Sequence, residues 1–287
     1  MRSRRCRSRS LPVSSLCLAG LVCAALLTSA QAPVGPAYRL VWADEFDRAG
    51  RPDPANWTYE AGFVRNQELQ WYQPENARVD NGLLVIEGRR ERRPNPNYVA
   101  DSTDWKRSRE FAEYTASSLT TRRLHAWQYG RFEMRARIDT RPGLWPAFWT
   151  LGAAGGWPRC GEVDIMEYYA GTLLANAAWA SPQPGRAVWD DSRVPVASLG
   201  PNWSGRFHVW RMDWDEQRIR LFVDDRLLNG IDLGRTVNED GTNANPFHQP
   251  HYLLVNLAIG GTQGGDPSKT EFPARYEIDY IRVYQSQ

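Results

Sequence analysis

The sequence predicts an all-β fold, a sandwich or barrel of short strands, and three observations carry that prediction. Apolar and polar residues alternate with a period of two, most cleanly over Arg131–Ile138. There Phe132, Met134, Ala136 and Ile138 fall on one side and Arg131, Glu133, Arg135 and Arg137 on the other. Helical periodicity is scarce. Finally, 23 Gly and 19 Pro in 287 residues cut the chain into runs of strand length.

Taken in order, residues 1–32 read as a secretory signal. Arg2, Arg4, Arg5, Arg7 and Arg9 form a basic start, Leu11 to Leu27 an apolar stretch, and Ser29-Ala30-Gln31-Ala32 a small-residue cleavage site, after Ala30 or Ala32. Residues 33–287, about 255 in number, suit one β domain. No later apolar run is long enough to span a membrane. Five of the 35 basic residues and none of the 33 acidic ones belong to the leader, so the remainder carries a net charge of about −3. With no basic patch, nothing argues for nucleic acid. Cys6, Cys17 and Cys23 also belong to the leader, which leaves Cys160 alone, and the fold must rest on its core rather than on a disulfide. Further strands are expected at Leu83–Glu87, Phe207–Trp214, Arg218–Val223, Tyr252–Ala258 and Tyr276–Tyr284, with Arg93–Ser108 a polar loop. Thirteen Trp exceed what a core alone calls for and suit a groove in which indole faces stack on sugar rings, although most of them are expected inside.

The chemistry concentrates in Gly161-Glu162-Val163-Asp164-Ile165-Met166-Glu167-Tyr168-Tyr169. On a strand, Glu162 and Asp164 share one face while Val163 and Ile165 point to the other. Glu167, at an offset of five from Glu162, breaks the alternation. One extra residue at Ile165–Met166, taken up as a β-bulge, returns it to the face of the other two. Crowded carboxylates raise one another's pKa, which suits a catalytic pair with a third acid tuning it. A calcium site and a solvated acidic face are the other readings of these residues.

Upstream stands Pro142-Gly143-Leu144-Trp145-Pro146-Ala147-Phe148-Trp149-Thr150-Leu151-Gly152. Asn66-Gln67-Glu68-Leu69-Gln70-Trp71-Tyr72, Tyr129-Gly130-Arg131-Phe132-Glu133 and Asp279-Tyr280-Ile281-Arg282-Val283-Tyr284 follow the same ordered pattern along the chain. Together with the acidic motif, this closely resembles glycoside hydrolase family 16, in the branch with Glu-x-Asp-x-x-Glu. The resemblance implies a jelly-roll β-sandwich, concanavalin A-like, with a concave sheet forming the substrate cleft, which the Arg93–Ser108 loop is expected to border. It implies Glu162 as nucleophile, Asp164 as its modulator and Glu167 as acid/base, with no cofactor for catalysis. Trp145 is carried over as a sugar platform, Trp149 as its neighbour on the same face, and Asn66 and Glu68 as polar cleft residues. Trp127 and Trp157 are candidate cleft walls. Glu45, the backbone of Gly82 and Asp279 match a structural calcium site of many members.

The activity so implied is that of a secreted, monomeric, retaining endo-β-glycan hydrolase, in the first place an endo-β-1,3-glucanase acting on a polysaccharide through a covalent glycosyl-enzyme. Hydrolysis of galactans such as agar, porphyran or carrageenan is the alternative, and a non-catalytic carbohydrate-binding sandwich a further one. One departure bears on the substrate. Many relatives active on β-1,3-glucans carry His on the strand after the acidic one, where this chain has Ala178, and Asn176 on the same face is expected to replace part of its hydrogen bonding.

Overall fold

The computed structural model describes residues 37–287, so the expected leader at 1–32 lies outside the described residues. Two eight-stranded sheets make up the sandwich, with two two-stranded sheets beside them. The first runs in the order Arg226–Asp232, Arg218–Val223, His208–Trp214, Gly130–Arg137, Ala274–Ser286, Leu83–Gly88 and Ala77–Asp80, with Tyr38–Asp44 also paired to Ala274–Ser286. The second runs Ala187–Asp190, Thr172–Ala180, Glu162–Tyr169, Leu144–Gly152, His251–Ile259, Ser118–Thr120 and Thr58–Tyr59, with Arg193–Pro195 also on Thr172–Ala180. The expected strands are all present, and the fold is the jelly-roll sandwich.

Alternation explains how the sheets meet. Phe132, Met134 and Ala136 enter the core from the first sheet, and Phe148, Val163, Val255 and Leu257 from the second. Burying a side chain of this size contributes about 1.5–3 kcal/mol. The other face of Gly130–Arg137 is a lattice of ion pairs: Arg131 with Asp213, Arg135 with Asp279, Arg137 with Glu277. Trp57, Trp179, Trp203, Trp210 and Trp214 are core indoles.

That lattice decides how the expected calcium donors are occupied. Asp279 is paired to Arg135, and Glu45 accepts two hydrogen bonds from Arg282, at 2.7 and 2.8 Å. Both side-chain ligands are therefore neutralised, and only carbonyls such as that of Gly82 remain. Among the described residues, no group of three or more His, Cys, Asp or Glu side chains could hold a metal. This side-chain set does not fit a calcium cage. The Arg93–Ser108 segment also differs from expectation. It contains the short strand Arg93–Pro94 and the helical turn Trp105–Ser108, and none of its residues lines the cleft. With Arg109 it instead props the back of the cleft wall: Arg109 donates to the carbonyls of Gln67 and Glu68, and its guanidinium lies against Phe63 and Trp105.

Candidate active site

The acidic strand Glu162–Tyr169 is central in the second sheet, and its pairing shows the bulge. Toward Leu144–Gly152, Glu167 opposes Ala147, Met166 opposes Phe148, and Asp164 already opposes Trp149. Toward Thr172–Ala180, Asp164 opposes Asn176 and Glu167 opposes Leu174, so three steps on the acidic strand meet two on its partner. Val163, Ile165 and Met166 all pack into the core. The surplus residue is thus absorbed on the apolar side, and Glu162 and Glu167 both line a groove of about 700 Å³ on the opposite face. The groove floor has its own apolar cluster of Ala147, Trp149, Tyr252 and Leu254, separate from the main core.

Surroundings separate the three acids. Burial pushes Glu167 up to about 7, opposed by a hydrogen bond from Trp145 Nε1 at 2.7 Å and reinforced by the charge of Glu162. A carboxyl that titrates there can hold a proton near neutrality and deliver it. Asp164 is held well above the ordinary carboxylate range by burial, then by the charges of Glu162 and Glu167, and it is hydrogen-bonded to Glu162. A protonated Asp164 is therefore the donor in that contact. Burial also raises Glu162, but hydrogen bonds from Trp157 (Nε1, 2.6 Å) and Asp164, and the charge of Arg65, pull the other way. Glu162 is the carboxylate with two donors on it, and it is the group best able to stay ionised.

The remaining candidates divide between wall and support. Trp145 is 6% exposed and lines the groove with its N–H on Glu167. Trp149 lines the floor, donates to Asn256 at 2.8 Å and lies under the Arg65 guanidinium. Asn176 lines the groove and reaches Asp164 at 3.4 Å, while Ala178, opposite Glu162, is buried. Asn66 lines the wall in a left-handed turn (φ 54°). Gly261 is required against that turn, since a Cβ there would stand 2.7 Å from the Asn66 carbonyl oxygen. Glu68 is only 2% exposed and lies behind the wall, bonded to Gln70 and Tyr72 rather than facing the groove. Trp127 packs against the main core. Cys160 is buried, and burial pushes its thiol up to about 11, so it stays protonated and takes no part as a nucleophile.

Sequence reasoning did not single out several groove residues. Trp189, Tyr252, Arg122, Asp191 and Arg193 line it, and so do Glu60 and Arg65, which form an ion pair. Tyr252 lies in a predicted strand, but that strand is buried along its whole length and does not show which face meets the groove; the others come from loops and edge strands whose position depends on distant pairing.

Comparison with known proteins agrees with this geometry. The sequence profile of Glycosyl hydrolases family 16 matches residues 70–282. A beta-glucanase of Rhodothermus marinus is 38% identical, covering 93% of this chain and 92% of its own. The structure of the catalytic domain of an endo-1,3-beta-glucanase (laminarinase) from Thermotoga petrophila superposes with a TM-score of 0.73 at 33% identity, covering 88% of this chain and 99% of that one. A structure from work on endo-acting O-glycanases that initiate mucin breakdown in the human gut microbiota superposes at 0.80, with 36% identity over 88% of this chain and 93% of that one. With its bulged acidic strand and two carboxylates on one groove, the chain belongs to glycosyl hydrolase family 16.

Proposed function

We propose that the chain is a retaining endo-β-glucanase that cleaves internal β-1,3 linkages of a polysaccharide. The observation that carries this reading is the bulge, which puts a carboxylate with two hydrogen-bond donors and a protonated carboxyl on one open face. Glu162 attacks the anomeric carbon while Glu167 protonates the departing glycosidic oxygen, and a covalent glycosyl-enzyme forms. Glu167, now ionised, takes a proton from water, which displaces Glu162 and regenerates both groups with the β configuration kept. Asp164 donates to Glu162 throughout and limits the charge that builds between the acids. Trp145, Trp149, Asn66 and Asn176 are proposed to hold the sugar chain. Glu68 is proposed to act from behind the wall.

Laminarin, mixed-linkage glucan, agarose, carrageenan and mucin O-glycans, each incubated with enzyme and sized, test the substrate. Rapid release of β-1,3-gluco-oligosaccharides is expected, and cleavage confined to a galactose-containing polymer would overturn the β-1,3 assignment. That second reading is favoured by Ala178, which stands where many β-1,3-glucan-active relatives carry His, and by the likeness to the O-glycanase structure. We also propose that the chain is exported by residues 1–32 and acts as a monomer. Among the described residues, no helix is long and apolar enough to cross a membrane.

A further inference from the structure

The register of the cleft sheet sets the groove residues in two rows, one through each catalytic acid. Tyr252, Leu151, Glu162, Ala178 and Trp189 oppose one another in turn across five strands. Asn256, Ala147, Glu167, Leu174 and Arg193 do the same through the other acid. Residues directly opposed in antiparallel strands share a face. On the edge beyond Thr172–Ala180, the nucleophile's row therefore ends in Trp189 and the acid/base's row in Arg193. Each is two strand spacings, or about 9–10 Å, from the acidic strand.

Trp189 is 45% exposed, and among the described residues its indole has neither a hydrogen-bond nor an aromatic partner. Trp157, exposed to 49%, differs because its N–H is committed to Glu162. A large aromatic face left open in the groove, with no partner for its N–H, is suited to cover by an apolar ring face. Beside it, Asp191 and Arg193 form an ion pair at 2.7 Å that leaves other donors and acceptors free toward the groove.

We propose that Trp189 and the Asp191–Arg193 pair build a subsite for an uncharged pyranose ring on the leaving-group side of the cleavage point. The indole stacks on the ring and the ion pair hydrogen-bonds its hydroxyls. The side follows from the functional reading above, on which this inference rests. Trp145, Trp149 and Asn66, taken there to hold the sugar chain, lie across the acidic strand from Thr172–Ala180. The bound part of the donor is therefore placed on that flank and the departing chain on the opposite one. Trp189 is thus a specificity-determining residue. Its contacts help where the substrate extends past the scissile bond, and they are absent where the leaving group is a single atom.

The test compares two substrates. Trp189→Ala is expected to lower kcat/KM for laminarihexaose about tenfold, while hydrolysis of β-laminaribiosyl fluoride, whose leaving group is fluoride, stays unchanged. Trp189→Phe is expected to recover most of the hexasaccharide activity because an aromatic face remains. Equal losses on both substrates, a loss on the fluoride alone, or no loss on either would overturn the subsite. If the unmodified enzyme leaves laminarihexaose intact, the β-1,3 reading itself fails. The Trp189 comparison is then made with the panel substrate that is cut and its matching glycosyl fluoride, with the same outcomes deciding it.

Discussion

Glu162 and Glu167 stand five residues apart on one strand, and each accepts a hydrogen bond from an indole N–H, yet their surroundings treat negative charge differently. Glu162 has a second donor in Asp164 and the Arg65 charge nearby. Glu167 has the Trp145 bond alone and is pushed by burial up to about 7. Arg193 is the cation that acts on it, from an exposed edge where solvent screens the effect. The identity of the side chain therefore does not assign the roles. The count and reach of hydrogen-bond donors around it do, and the asymmetry centres on Asp164.

Deleting each acid is expected to break the symmetry most visibly. Glu162→Ala should lower turnover roughly 100,000-fold, and added azide should restore cleavage of an activated aryl glycoside with inverted configuration. Glu167→Ala should retain hydrolysis of the same aryl glycoside, which needs little protonation, and azide should give a product of retained configuration. Product stereochemistry by NMR checks both, and the opposite pairing would exchange the two roles.

The next effect concerns the bulge. Without Met166 the two Glu residues lie four apart, and plain alternation puts them on one face with no surplus residue. The deletion variant is expected to fold, with downstream register intact and hydrolysis lower by about 100-fold from displaced carboxylates. Circular dichroism and thermal melting check the fold. An unfolded deletion would mean that Met166 holds the core for reasons other than register.

Asp164 can be tested through its proton. Asp164→Asn keeps a donor toward Glu162 and should lose less activity than Asp164→Ala, which leaves Glu162 with the Trp157 bond alone. The gap is expected to be about 10-fold or more, the range for a hydrogen bond to a charged group. Equal losses would show that Asp164 does not act as a neutral donor.

The smallest effect is a shift in pH dependence. The kcat/KM profile should fall on its alkaline side near pH 7, where Glu167 loses the proton it must deliver, and on its acid side where Glu162 becomes protonated. An indole N–H stabilises the ionised carboxylate, so removing it raises the pKa. Trp145→Phe should therefore move the alkaline limb upward, and Trp157→Phe the acid limb upward, each by about one unit. Both limbs moving together in either variant would show that the two acids titrate as one unit.

Much of this site could be read from the residues in order. The strands followed from alternation, and the bulge from the offset of five between Glu162 and Glu167, because strand periodicity leaves few ways to bring both acids to one face. Neighbours brought by long-range pairing could not be read so. Trp189 reaches the groove because a later strand pairs with Thr172–Ala180, whereas Trp157, expected as a cleft wall, lines the groove only five residues before the Glu162 to which it donates. Glu68 belongs to a polar-looking segment, but the hydrogen bonds of Gln70 and Tyr72 draw it behind the wall. The ion pairs of Glu45 and Asp279 were hidden for a related reason, since their arginine partners Arg282 and Arg135 are brought in by neighbouring strands far away in sequence.

The broken edge of the cleft sheet has a further consequence. Thr172–Ala180 is bordered by two short strands end to end, Ala187–Asp190 and Arg193–Pro195, and the opposite edge is the two-residue strand Thr58–Tyr59. A long open border would offer a ladder of unpaired amide and carbonyl groups to any other extended chain. Here the border is interrupted at Asp191–Ser192 and closed by Pro195, which has no N–H to give. The interruption that sends Trp189 and Arg193 to different rows of the groove also makes this sheet a poor template for strand addition, so the enzyme is expected to resist edge-to-edge aggregation even when concentrated along a polymer.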